Sequence, residues 1–449
     1  MIASPLRRRL ALLTVIVGIS MTVLDGTLAN VALPTIAADL RVNPAASIWI
    51  VNAYQLTIVM SLLPFASLGE IVGYRRVYLC GMVLFTVAAS GSGLAGSLVA
   101  LAAARIVQGL GAAGIMCVNL ALIRTIVPAD RLGRTIGLNA MVIAAAATVG
   151  PTIAGGILSV LSWHWLFAAS VPLGLTAFTL GIVSLPESPR AARPFDVASA
   201  LLSALTFGLL ISSINSLTFG FAPSAITAQF AVGLAVAAWF VRRQLSLTAP
   251  LLPLDLLRIP VFALSIGTSV CSFAAQMLAY VVLPFRFQHD LGFSAVETGL
   301  LITGWPIGVA LTAPLAGRLA DRFSAGILGS VGLAILCSGF LVLTGLHGHP
   351  TTADVLWRLT LCGMGFGLFQ APNNRQLMSS APRERSGAAS GMLATARLTG
   401  QNVGAAMVAL LIAHLPASGT SAALFLGAAF SAVAAVVSAL RLNYRTSTT

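Results

Sequence analysis

The chain has 449 residues, 58% of them apolar and only 8% charged, with a mean hydropathy of +0.96. Soluble domains carry about 25% charged residues, so an ordinary water-soluble protein is excluded. The charge is one-sided, 25 basic residues against 12 acidic, and every basic residue is arginine; such a balance points either to nucleic acid or to the sidedness of a membrane protein.

A helix needs about 20 mostly apolar residues to cross a bilayer, so the spacing of charges sets the count. Spans are predicted at about residues 10–32, 46–68, 77–95, 99–123, 135–158, 164–185, 196–216, 225–241, 260–284, 297–317, 325–346, 355–374, 387–414 and 420–440. The uncharged run 135–186 is too long for one crossing and divides at Ser162-Trp163-His164-Trp165, and the run 197–241 divides near Gly220 and Pro223. The expectation is an all-α integral membrane protein of fourteen transmembrane helices, with both termini on one side.

The arginines choose that side. With cytoplasmic termini the inner segments hold 20 of the 25 arginines, while the outer ones hold only Arg41 and Arg286. This is the bias of the positive-inside rule, and it assigns the basic excess to topology rather than to nucleic acid. No cleavable leader is expected, because Arg7, Arg8 and Arg9 precede a full-length span with no small-residue cleavage site. The five cysteines show no paired spacing and the histidines sit at helix ends or in loops, so neither a disulfide framework nor a metal site is expected.

The chain also repeats itself. Pro128-Ala129-Asp130-Arg131-Leu132-Gly133 with Gly137 matches Pro382-Arg383-Glu384-Arg385-Ser386-Gly387 with Gly391 at an offset of 254, and Arg105 matches Arg358 at 253. Glu70 matches Asp321 at 251, and Leu33-Pro34 matches Leu283-Pro284 at 250. The predicted organisation is two parallel six-helix bundles, residues 1–190 and 259–449, with two further helices inserted in residues 191–258. Paired bundles of this kind enclose a substrate site near the midplane and alternate its access by rocking.

Ionisable side chains are costly inside the hydrocarbon and those found there are functional candidates. Asp25 lies about 13 Å from the outer end of the first helix and Arg105 about 9 Å from the outer end of the fourth, at 1.5 Å rise per residue. Burial favours a neutral carboxyl group and a nearby cation favours a charged one, so Asp25 with Arg105 is the candidate proton-coupling pair; a static ion pair is the competing reading. The second repeat places Ala275, beside Gln276, at the position of Asp25. Asn30, Gln55, Gln276 and the deeply placed Arg397 are candidates for the substrate cavity or the bundle interface. Gly150, Pro151, Gly155 and Gly156 in the fifth helix combine a missing backbone donor with small residues, which suits a bend and a close-packed seam. The turn carrying Gly69, Glu70, Gly73, Arg75 and Arg76, with its counterpart at Asp321 and Arg322, is a candidate cytoplasmic gate; for Arg75 and Arg76 a topological anchor competes.

These motifs resemble the major facilitator superfamily, and within it the branch of fourteen-helix drug:proton antiporters. Asp25-Gly26-Thr27 with Asn30-Val31-Ala32-Leu33-Pro34 is similar to that branch's first-helix motif, Gly73-Tyr74-Arg75-Arg76 to the loop motif, Arg105-Ile106-Val107-Gln108-Gly109 to the fourth-helix motif, and Gly150-Pro151 through Gly156 to the antiporter motif. Departures are Ala66, Glu70 and Ile71 in the first loop, where Gly, Asp and Arg are usual, and Ala154 in the antiporter motif. The resemblance implies a non-enzymatic exporter of hydrophobic or cationic drugs, driven by the proton gradient without a cofactor. It is expected to be a monomer of the plasma or inner membrane, with small-molecule substrate, protons and lipid as its partners. A dedicated exporter of a single metabolite, such as an antibiotic, siderophore or amino acid, is the alternative, and a scaffold or sensor without transport a weaker one.

Overall fold

A computed structural model describes residues 4–188, 190–191, 194–216, 222–247, 250–252, 254–320, 322–346, 348, 350–381, 386–415 and 418–443. Regular structure among them is helical: α1 (Pro5–Asp39), α2 (Pro44–Ser47), α3 (Trp49–Val72), α4 (Tyr74–Gly93), α5 (Leu98–Ile126), α6 (Ala129–Val160), α7 (His164–Ala168), α8 (Ser170–Ser184), α9 (Val197–Ser216), α10 (Pro223–Ser246), α11 (Pro260–Phe285), α12 (Ala295–Ile302), α13 (Gly304–Leu319), α14 (Ala325–Thr344), α15 (Thr352–Ser380), α16 (Ser386–His414) and α17 (Gly419–Leu440). Ile48, Ala169 and Thr303 keep right-handed helical dihedrals between α2 and α3, α7 and α8, and α12 and α13. The seventeen helices therefore form fourteen helical segments.

Caps extend these segments past their apolar cores. Ser4 accepts from the Arg7 amide at 3.2 Å, Ser97 from Ala100 at 3.2 Å and Thr351 from Asp354 at 3.2 Å, while Ser294 and Glu297 form a reciprocal capping box. Each bond satisfies an otherwise orphaned first-turn amide, and the cap at Ser4 lets α1 begin at Pro5 rather than near residue 10; the helix continues to Asp39, beyond the 32 expected from charge spacing. Eleven of the fourteen segments are long and apolar enough to cross a membrane. The other three are α6 and α9, whose described apolar stretches are Ala145–Val160 and Val197–Ser213, and α15, which carries Asp354, Arg358 and Arg375.

The chain divides into two compact units, Met1–Gly208 and Leu209–Thr449. In the first unit α1 packs on α6 and α8, α3 on α5, and α4 on α5 and α8. In the second α11 packs on α16 and α17, α13 on α15, and α14 on α15 and α17. The pairings are the same set, displaced by the sequence repeat. So is the fit that permits them: a Cβ on Gly81 of α4 would lie 2.8 Å from the Gly111 carbonyl of α5, and one on Gly332 of α14 2.7 Å from the Gly365 carbonyl of α15. Within a membrane, association depends on such close backbone approach, because lipid is as apolar as a leucine.

The second unit holds a polar node of its own. Arg441, 5% exposed, donates to Ser265 of α11 at 3.2 Å and to Asn373 of α15 at 2.7 Å, and also to the Ser438 hydroxyl of α17. Asn373 in turn donates to Ser269 at 2.9 Å. The repeat-related positions of the first unit, Thr14 and Ser184, lie 3.4 Å apart and meet directly. Arg441 thus joins three helices through one guanidinium, and Arg441→Met, which strips that donor from buried acceptors, is expected to lower stability by about 2–4 kcal/mol. The unfolding midpoint of purified protein measures this; an unchanged midpoint removes the node from the forces holding the unit.

Candidate functional site

In the first unit the apolar faces of α1, α3 and α5 bring one acid and one base together away from water. Asp25 of α1 is 1% exposed and Arg105 of α5 is fully buried, and the Arg105 Nη1 group donates to Asp25 Oδ2. Gln108, one turn after Arg105, donates from Nε2 to Asp25 Oδ1 at 2.9 Å and accepts from Arg105 Nη1 at 2.8 Å. Arg105 Nε donates to the Ile50 carbonyl of α3 at 3.2 Å. The guanidinium carbon stands 4.1 Å from the centre of the Tyr54 ring and 5.3 Å from that of Phe167, a cation–π arrangement. Tyr54 is itself fixed by its hydroxyl, which donates to the Thr22 carbonyl at 3.1 Å.

Each partner offsets part of the cost of removing two charges from water, a cost that the ion pair alone does not cover. Both carboxylate oxygens accept from side chains of α5, and the same guanidinium reaches α3. The charge on Asp25 therefore bears directly on how three helices are held. Arg105 Nη2 is buried without a hydrogen-bond partner among the described residues, so one arm of the fork is unspent.

The remaining predicted residues are spread more widely. Asn30 is buried on α1 with its Oδ1 unpaired, and Gln55 is buried on α3. Gln276 and Arg397 are half-buried on α11 and α16, neighbours in the second unit, with the Arg397 guanidinium 5.8 Å from the Phe273 ring centre. Gly150 is buried where α6 meets α1, and any Cβ there would collide with Thr27. Helix α6 continues through buried Pro151; Gly155 is buried, whereas Gly156 is exposed with no atom within 4 Å of a Cβ there. Arg358, the repeat counterpart of Arg105, does not face a buried acid. It pairs with Asp354 on its own helix at 3.0 Å and donates to the Val342 carbonyl of α14 at 2.6 Å.

The loop motif is built into the end of the first unit. Gly73 has φ of +110°, a region that other residues enter only under strain, and it reverses the chain between α3 and α4. The turn is bound to the end of α8 and to the segment that follows it. The Tyr74 amide donates to Ser188 Oγ at 2.7 Å, the Ala191 amide to the Glu70 carbonyl at 2.7 Å, and Arg75 Nη2 to the Ile182 carbonyl at 2.6 Å. Gly69 is buried against Val118, while Glu70 and Arg76 are exposed. Arg322 is exposed after α13; Asp321 and residues 382–385 of the repeated loop motif lie outside the described residues.

Sequence reasoning did not name Gln108, Tyr54, Ser188 or Glu187 as parts of a site. For Gln108 a signal was present, since a residue three after Arg105 shares its helix face. For Ser188 and Glu187 none was, because only folding brings them to Tyr74 and Arg75.

The family model of the Major Facilitator Superfamily matches residues 11–268 and 264–449. The chain is 53% identical over 435 residues to the protein named Uncharacterized transporter YebQ of Escherichia coli K12, covering 96% of this chain and 95% of that one. It is 33% identical over 415 residues to Multidrug resistance protein Stp of Mycobacterium tuberculosis, covering 90% of this chain and 76% of that one. Among solved structures, a POT family transporter in complex with 5-aminolevulinic acid superposes with a TM-score of 0.73 at 15% identity, over 98% of this chain and 97% of that one.

Gln108→Leu leaves one carboxylate oxygen of Asp25 and one guanidinium hydrogen without their buried partner. The expected loss is about 1–3 kcal/mol of stability, read as a lower unfolding midpoint, and Gln108→Glu is not expected to restore it because it sets a second carboxylate beside the first. Gly73→Ala should cost about 1–2 kcal/mol through left-handed strain and speed proteolysis of the segment around residues 185–191; a cleavage pattern like the wild type's would contradict the clamp.

Proposed function

The chain belongs to the major facilitator superfamily, and on that premise we propose that it exports hydrophobic or cationic drugs in exchange for protons, with Asp25 carrying the proton. In this reading the fourteen helical segments all cross the plasma or inner membrane, with both termini cytoplasmic. Access to the substrate alternates between the two sides of the membrane, residues 1–190 and 259–449 being the six-helix bundles and residues 191–258 adding the two inserted helices. The protein works as a monomer and uses the proton gradient with no cofactor.

The observation that carries the reading is the junction of Asp25, Arg105 and Gln108, a carboxylate held by both oxygens inside the apolar first unit. A proton arriving from outside neutralises Asp25 and loosens its hold on α5. Arg105 stays bound to Ile50 and Tyr54 of α3, and Tyr54 stays bound to Thr22 of α1, so the contact weakened is the one between α1 and α5. Reorientation then exposes Asp25 to the cytoplasm, the proton leaves, and the ion pair re-forms around the next substrate cycle. Gly150, where α6 touches α1, lets the antiporter segment follow that movement. The breadth of the substrate rests on the likeness to a relative named as a multidrug resistance protein.

Asp25→Asn keeps the shape of the side chain and removes its titration. In inverted vesicles holding an imposed proton gradient, wild-type protein should collapse the gradient when a transported drug is added, and Asp25→Asn should give only the background signal. Full coupling in that variant overturns the role of Asp25. A response confined to one compound across a wide panel replaces drug export by dedicated export of a single metabolite.

A further inference from the structure

We infer that the cleft between the α3–α4 turn and the segment after α8 binds the phosphate of an anionic phospholipid headgroup. Three guanidinium groups, those of Arg75, Arg76 and Arg190, line a space of about 100 Å³, and Glu187 is the single carboxylate among the lining side chains. Glu187 is 76% exposed and reaches Arg75 only at 3.7 Å and Arg190 only at 3.9 Å, too far for a good hydrogen bond. Three guanidinium groups against one carboxylate leave the lining side chains with an excess of positive charge.

Its walls are fixed in advance. Arg75 is tied to the Ile182 carbonyl through Nη2, which leaves Nη1 and a buried, unpartnered Nε turned to other uses. The Gly73 reversal and the bond from the Tyr74 amide to Ser188 hold the two sides of the cleft together. Guanidinium groups suit phosphate because their planar forks donate paired, charge-assisted hydrogen bonds to its oxygens. The Ser188 hydroxyl already accepts from Tyr74, and its own hydrogen adds a further donor towards the cleft.

The position selects a lipid rather than free phosphate. The cleft lies where span-length helices α3 and α4 end, and Val72 and Leu79 give it an apolar wall beside the arginines. Basic pockets between helices at the membrane boundary are the setting in which anionic headgroups are recognised. A bound headgroup would bridge the turn to the segment after α8 across the gap that Glu187 closes only loosely. This inference stands apart from drug export, since it concerns binding alone.

The test uses full-length protein in phosphatidylcholine nanodiscs, titrated with phosphatidylglycerol and read by native mass spectrometry. The wild type should retain phosphatidylglycerol. Arg76→Gln with Arg190→Gln, both exposed and so compatible with folding, should weaken retention about 30-fold, from about fivefold per arginine near a charged surface. Arg242→Gln with Arg318→Gln removes the same charge from exposed positions elsewhere and should leave retention as it was; unfolding midpoints check that both variants are folded. Equal loss in the two double variants overturns the site in favour of diffuse surface attraction, as does absence of retention in the wild type. Displacement of the lipid by millimolar inorganic phosphate overturns the lipid assignment and leaves a free-phosphate site.

Discussion

The first unit is organised around a carboxylate and a guanidinium that share no access to water. Asp25 and Arg105 are both essentially unexposed, and a charge so placed is tolerated only when its partners are all in position. Gln108, the Ile50 carbonyl and the Tyr54 ring supply them, each from a helix whose packing is thereby fixed relative to the others. The arrangement is costly if any member is lost.

The second unit was built from the same plan and spends its polar groups differently. Its helices pair as those of the first do, with Gly332 against Gly365 where Gly81 meets Gly111. Yet Arg358 is bound to Asp354 on its own helix, and Trp305 stands 251 positions after Tyr54, fully buried among Tyr280, Phe340 and Phe366. The polar centre of this unit is Arg441 with neutral acceptors. Duplication preserved the backbone contacts because close helix packing tolerates little change. The side chains facing inward were free to diverge into a buried ion pair in one unit and an aromatic core in the other.

At the arginine-rich end of the first unit, charge has two uses. An excess of arginine biases sidedness in membrane proteins through number and location alone. Arg75 goes further by bonding to a backbone carbonyl across the unit, and it thereby joins the turn after α3 to the last turn of α8. Arg75, a candidate gate residue for which a topological anchor competes, bonds across the unit because the folded chain brings a carbonyl 107 positions away within reach.

Much was determined by the sequence itself: the all-helical class, the repeat at offsets of 250–254, and the two charges that matter most, Asp25 and Arg105. Hydrophobic runs and forbidden charges are local properties, and a membrane makes their cost large enough to read directly. Helix ends were less legible, since caps such as Ser4 and Ser97 act outside the apolar run. Tertiary structure alone decided that Arg105 faces Asp25 while its counterpart Arg358 does not, that Gln108 takes the second carboxylate oxygen, and that Ser188 closes on Tyr74. Those outcomes depend on the rotation of each helix about its axis and on contacts between residues far apart in the chain. Composition and spacing constrain neither; close packing of the helices fixes both.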